Sequence, residues 1–350
     1  MQNARYVSDT GRQQLRFVAA GDSGWTRRRR GRGFEYRDAM QRPVRDPAAL
    51  ARIRRLAIPP AWTEVWICPS ARGHIQATGR DARGRKQYRY HADFRARRDA
   101  DKFGRLEEFG AALPRLRRRV RADLLRPGLP RERVLAAVVT LLDRTGARVG
   151  NDEYARHNRS YGLTTLRDAH VEVGGGIVRL AFRGKSGGHN QLRVADERLA
   201  RVVRRCQDLP GQRLFQHVGD DGRRRPVGSA DVNRYLREAA GIECSAKDFR
   251  TWHGSVEALA ELRGADPALP PAKAVVQTVE RVASRLHNTR AVCRRYYIAP
   301  AVVEAFLEGS LTPAGPPGRK APGLKAAEAD LLALLRAVRP PLGAASRPAA

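Results

Sequence analysis

A formal charge of +31, from 67 Lys and Arg against 36 Asp and Glu in 350 residues, constrains this chain more than any other feature. Self-repulsion on that scale opposes compaction unless a polyanion normally covers the surface. Nucleic acid is the commonest such partner, because each neutralised phosphate releases counterions. Ribosome-associated proteins and membrane-surface binders are the other classes that share such a charge. Lys occurs only at positions 86, 102, 185, 247, 273, 320 and 325, so the cations are nearly all Arg. The planar Arg fork grips two phosphate oxygens at once. A lysine in such a chain becomes of interest where a transferable proton is needed.

The four cysteines, Cys68, Cys206, Cys244 and Cys293, are far apart and form no CxxC pair. That usage suits a reducing compartment better than a disulfide scaffold or a zinc site. The opening MQNARYVSDTGRQQLRF lacks the apolar run of a secretory signal, and no stretch approaches the ~18 apolar residues of a membrane span. The expectation is a cytoplasmic, nucleoid-associated monomer with no membrane contact.

Patterning divides the chain into four parts. Residues 1–32 are polar, end in the basic run Arg27–Arg30, and suggest a flexible or phosphate-tracking arm. Residues 33–91 hold short β-type segments such as EVWICPS and GHIQATG between Pro, Gly and Asp turns, with one amphipathic helix, DPAALARIRRLAI, opened by an Asp cap. Residues 92–309 turn helical, as in RERVLAAVVTLLDRT, except where VEVGGGIVRLAFRG and HNQLRVA suggest two strands joined by a glycine-rich turn carrying Lys185. Residues 310–350 are an Ala/Pro-rich tail with a short helix expected in KAAEADLLALLRAV. The fold class is α+β.

The chemistry-bearing motifs lie in the helical part. Gly184-Lys185-Ser186 mimics the end of a P-loop, but Arg179 stands where that loop needs Gly, so ATP binding is not expected. There is no HExxH, no Cys/His cluster and no carboxylate set at metal spacing, so phosphodiester chemistry here would proceed without a metal. Metal-free phosphoryl transfer needs cations for the non-bridging oxygens, an in-line nucleophile and an acid for the departing oxygen. Candidates for each occur in order: Arg148 in A-R-V-G-N, Lys185 in FRGKSGGHN, Arg250 in SAKDFRTWHGS, and Tyr296 and Tyr297 in RLHNTRAVCRRYYIAP.

Arg, Lys, Arg and Tyr in this order resemble the active site of type IB DNA topoisomerases, most of all the bacterial members related to the poxvirus enzymes. The resemblance spans about residues 33–305. GHIQATGRDARGRKQYRYH is similar to the family's DNA-clamping segment, and YGLTTL, KDFRTWHGS and NTRAVCRRYYIAP match in sequence and order. It implies ATP- and metal-independent relaxation of supercoiled duplex DNA by a two-lobed clamp, a β-rich N-terminal lobe and a mostly helical catalytic lobe, with no cofactor. Tyr297 would attack to form a 3′-phosphotyrosyl link, Arg148 and Arg250 would hold the non-bridging oxygens, and Lys185 would protonate the leaving 5′ oxygen. Asn288 falls where many members carry a phosphate-contacting histidine. Gln87, Tyr88 and Tyr90 would lie against DNA, and Tyr154 would touch its backbone. His287 and Tyr296 have the same spacing as Asn288 and Tyr297, but L-x-N-T and Y-I-x-P match the family together only with Tyr297 as nucleophile. A tyrosine recombinase would use a similar residue set with a helical N-terminal half, and an architectural DNA-binding protein would explain the charge alone.

Overall fold

The computed structural model describes residues 15–311 and 322–338, except the side chains of residues 97–102 and 186. The chain divides into two compact units, Met1–Lys102 and Phe103–Ala350, later than the change of pattern near residue 91 suggests. It is a mixed α and β structure with a small N-terminal sheet, and no helix among the described residues is long and apolar enough to cross a membrane.

In the first unit, β1 (Trp25–Arg30) and β2 (Gly33–Arg37) form a hairpin, followed by α1 (Pro47–Arg55). The strands β3 (Thr63–Ile67), β4 (Ile75–Arg80) and β5 (Lys86–Tyr90) complete an antiparallel sheet of order β2-β1-β3-β4-β5. As expected from DPAALARIRRLAI, Asp46 caps α1, its carboxylate accepting from Ala48 and Ala49 N–H at 3.1 and 3.0 Å. Ile53 of α1 joins Val65, Ile67 and Ala77 of the sheet in a small core. The basic run Arg27–Arg30, expected in an arm, lies in β1. Arg27 is structural: it donates to the carbonyls of Pro59 and Trp62 at 3.0 and 2.6 Å and stacks over Phe34. Of the expected arm, residues 1–14 lie outside the described residues.

The helix α2 (Ala92–Leu124) leads into the second unit, where α3 (Arg131–Thr145) is its central helix, with every residue from Val134 to Leu142 buried. A short α4 (Asp152–Asn158) precedes a three-stranded antiparallel sheet of β6 (Val171–Gly174), β7 (Ile177–Arg183) and β8 (His189–Ala195). The segment VEVGGGIVRLAFRG is therefore not one strand. Gly174 pairs with Ile177, and Gly175 and Gly176 take φ of +54° and +72° between them, the two positive values that a tight hairpin turn demands. Then come α5 (Glu197–Gln207), the hairpin of β9 (Gln216–Val218) with β10 (Arg224–Pro226), and α6 (Ser229–Ala240). The last helices are α7 (Ala246–Arg263), α8 (Pro271–Arg285), α9 (Arg290–Tyr296), α10 (Pro300–Leu307) and α11 (Ala326–Val338).

The helix expected in the tail is part of the core. Leu331 and Leu332 of α11 are buried, and Glu328 is 3% exposed. Both Glu328 oxygens accept from Arg117 at 2.8 Å, while Arg117 also makes a two-point pair with Asp143. Burial would raise the Glu328 carboxyl, but the bonds from Arg117 and the Lys325 N–H outweigh it and bring it down to about 2. Glu328→Ala would leave Arg117 paired with Asp143 alone and remove two charge-assisted hydrogen bonds, so it should cost about 1.5–3 kcal/mol in chemical denaturation. Because its folded pKa lies below the ordinary 4.5, the contribution of Glu328 is present above that pH and should fade as pH falls from 4.5 through about 2, a loss the Ala variant should not show.

Candidate active site

The site is assembled at the carboxyl ends of α3 and α8, where unpaired carbonyls concentrate negative potential. Gly146, at φ +61°, ends α3 in the left-handed conformation that glycine tolerates best. Arg250 reaches this point from α7. It is 5% exposed and donates to the Gly146 carbonyl at 2.5 Å and to the Leu286 carbonyl, just past α8, at 2.6 Å. Its Nε–H is buried with no hydrogen-bond partner among the described residues, so a donor remains unspent.

Arg148 lies two residues beyond Gly146, in the A-R-V-G-N turn. The YGLTTL motif fixes its backbone: Leu163 N–H donates to the Arg148 carbonyl at 3.0 Å, and Thr164 meets the Val149 carbonyl through N–H and hydroxyl, at 2.7 and 2.9 Å. A methyl group on Gly162 would stand 2.5 Å from the Gly150 Cα, and Gly150 has φ +107°, so two glycines let the strands of this turn touch. The guanidinium of Arg148 donates to Asn288 Oδ1 at 2.8 Å and to the His287 carbonyl at 3.2 Å. Burial, and then the like charge of Arg250, lower its pKa to about 10, with Tyr297 pulling the other way. Arg148 therefore stays charged at neutral pH.

Asn288 and Tyr297 both meet Arg250, the first through a shared carbonyl. Asn288 Nδ2 donates to the Leu286 carbonyl at 3.3 Å, which also accepts from Arg250. Tyr297 follows α9, half-buried, with its ring centroid 5.0 Å from the Arg250 guanidinium carbon. Arg148, Arg250, Asn288 and Tyr297 thus form one connected cluster. In the other register, His287 offers Arg148 only its carbonyl, its imidazole held toward the neutral form by burial and both arginines. The Tyr296 ring stands beside Arg295.

Lys185 lies outside this cluster, exposed on the 3-10 turn Lys185–Gly187 between β7 and β8. The Arg148 turn is tied to that hairpin by Tyr161 N–H, which donates to the Arg183 carbonyl at 2.8 Å. In the first unit, Tyr88 and Tyr90 share a side of β5, their rings stacked with centroids 5.8 Å apart, and Tyr88 is 43% exposed. Gln87 differs, its amide donating at 2.9 Å to Asp81, which also takes Arg85 and two turn N–H groups. Tyr154 is exposed on α4, its N–H capped by Asn151. Sequence reasoning missed Gly254 and Ser255, which pack against the Tyr297 backbone. Its one signal was a glycine inside the helical segment RTWHGS.

Comparison with known proteins gives matches over most of the chain. Residues 91–306 match the family model described as the eukaryotic DNA topoisomerase I catalytic core, and residues 33–81 match that of the bacterial DNA topoisomerase IB N-terminal domain. The chain is similar to the DNA topoisomerase 1B of Acanthamoeba polyphaga mimivirus, 33% identical over 267 residues that cover 73% of this chain and 80% of that protein. The DNA topoisomerase I of monkeypox virus is 22% identical over 233 residues, covering 65% of this chain and 70% of its own. The close approach behind YGLTTL has a direct consequence. Gly162→Ala should lower stability by roughly 1–3 kcal/mol, as overpacking does, measured by denaturant unfolding, whereas Gly174→Ala, which has open space, should change it far less.

Proposed function

The chain belongs to the type IB DNA topoisomerases, and on that premise we propose that Tyr297, Arg148, Arg250, Asn288 and Lys185 perform its DNA chemistry. The enzyme relaxes supercoiled DNA through a transient single-strand break held as a 3′-phosphotyrosyl ester, followed by strand rotation and religation. The observation that supports the residue assignment is one chain of contacts: the Tyr297 ring on Arg250, Arg250 and Asn288 on the shared Leu286 carbonyl, and Asn288 on Arg148.

Tyr297 Oη gives its proton to solvent and attacks the scissile phosphorus; its bond to phosphorus forms as the bond to the 5′ oxygen breaks. Arg148 and Arg250 stabilise the charge that develops on the non-bridging oxygens. Both guanidiniums are held by neutral acceptors, so their positive charge stays available to a phosphate. Asn288 orients Arg148 and can donate to the phosphate without adding charge. Lys185 protonates the departing 5′ oxygen, arriving from its exposed hairpin turn when DNA occupies the site. Religation is the reverse reaction. The ester conserves the phosphodiester energy, so neither ATP nor a metal enters any step.

In this reading the two units close on duplex DNA as a clamp, with the Tyr88–Tyr90 stack meeting sugar and base edges and Tyr154 the backbone. Gln87, turned to Asp81, joins them if DNA draws it from that bond. The enzyme acts as a monomer on nucleoid DNA, since one chain supplies the whole cluster. Relaxation of plasmid DNA with EDTA and without ATP tests the activity.

Tyr297→Phe should abolish relaxation and the covalent adduct while binding DNA normally, and Tyr296→Phe should relax DNA; the opposite pattern would move the nucleophile to Tyr296. Lys185→Ala should slow cleavage by ~10²–10⁴-fold. A substrate with a 5′-bridging sulfur, which leaves without protonation, should restore the rate. No restoration would mean that Lys185 contributes charge rather than a proton.

A further inference from the structure

We propose that Ser255 is a positioning residue for the nucleophile, fixing the Tyr297 backbone to the helix that carries Arg250; this rests on the assignment of Tyr297 as nucleophile. Arg250, Thr251, Gly254 and Ser255 fall on one face of α7, at spacings that bring helical side chains together. That face receives the turn from α9 into α10. Ser255 is fully buried; its hydroxyl donates to the Tyr297 carbonyl at 3.4 Å and accepts from Ala299 N–H at 2.9 Å. One side chain thereby fixes the backbone on both sides of Ile298. Thr251 adds a longer contact, its hydroxyl 3.5 Å from the Tyr296 carbonyl.

Gly254 explains how the backbone comes so close. A methyl group there would collide with the Tyr297 carbonyl oxygen, so any larger residue would push the tyrosine away from α7. The ring then rests over Arg250, four residues earlier on the same helix. Helix α7 therefore sets the distance between the nucleophile and a phosphate-binding arginine, through Ser255 on the backbone and Arg250 under the ring. In-line attack needs the reacting atoms within about 3–3.5 Å, and a misplacement of about 1 Å costs on the order of 10²-fold. Ser255→Ala would leave the Ala299 N–H buried without its acceptor and free the turn to move.

The test is single-turnover cleavage of pre-bound duplex DNA by full-length Ser255→Ala. Cleavage and religation should both slow by roughly 10- to 100-fold, because the same tyrosine is the nucleophile in one direction and the leaving group in the other. The equilibrium fraction of covalent complex, DNA affinity and its salt dependence should stay unchanged, and 5′-bridging sulfur should not restore the rate. Ser255→Thr, which keeps the hydroxyl, should cleave faster than Ser255→Ala. If the Ala variant does not fold, Ser255→Cys carries the test, since it keeps the site filled and weakens both hydrogen bonds. Wild-type cleavage by the folded variant would overturn the proposal, as would a defect that the bridging sulfur repairs. Wild-type enzyme forming no adduct that Tyr297→Phe loses would instead overturn the assignment of Tyr297.

Discussion

The catalytic unit depends on a guanidinium buried against carbonyl oxygens rather than carboxylates. Arg250 ties the end of α3 to the end of α8 from the middle of α7, through the Gly146 and Leu286 carbonyls. Those oxygens are among the acceptors that helix termini leave unpaired, so one side chain satisfies them and gains solvation for its charge. A carboxylate in their place would hold the cation equally well but cancel the field a phosphate needs. Arg117 shows that alternative in the same unit: paired with Asp143 and Glu328, it is neutralised and serves architecture. Two largely enclosed arginines with different acceptors thus have opposite electrostatic outcomes.

The same distinction divides the large positive charge of the chain. Arg27 and Arg52 are spent on carbonyls inside the first unit, Arg27 on the loop before β3 and Arg52 on Cys68 and Gln76. Arg263, Arg281 and Arg285 pair with carboxylates on other helices. Ion pairs of this kind leave the net excess of +31 unchanged, so most of it remains for a polyanion to neutralise.

Much of this was legible in the sequence where a local rule sufficed. The Asp46 cap and the apolar run of α3 follow from residues within a few positions of one another, and the order of Arg148, Lys185, Arg250 and Tyr297 is a pattern in itself. What escaped depends on partners distant in sequence. Four successive arginines give no alternation to mark β1, and only Phe34 and the loop carbonyls show why Arg27 belongs inside it. A charged residue such as Glu328 reads as solvated until Arg117, 211 positions away, is seen to bury it. YGLTTL was visible as a motif, but its work, pinning the Arg148 backbone with a Thr hydroxyl and the Gly150–Gly162 contact, is visible only in three dimensions. Asn288 likewise looked like a weakened phosphate ligand, and in the structure its side chain holds Arg148.

The central claim is that one tyrosine, placed over Arg250, carries the DNA during the break. Trapping the covalent complex on a suicide duplex, digesting both protein and DNA, and locating the nucleotide by mass spectrometry tests it most directly. The account predicts a nucleotide joined through its 3′ phosphate to Tyr297. The same adduct on Tyr296, or a linkage through a 5′ phosphate, would contradict it.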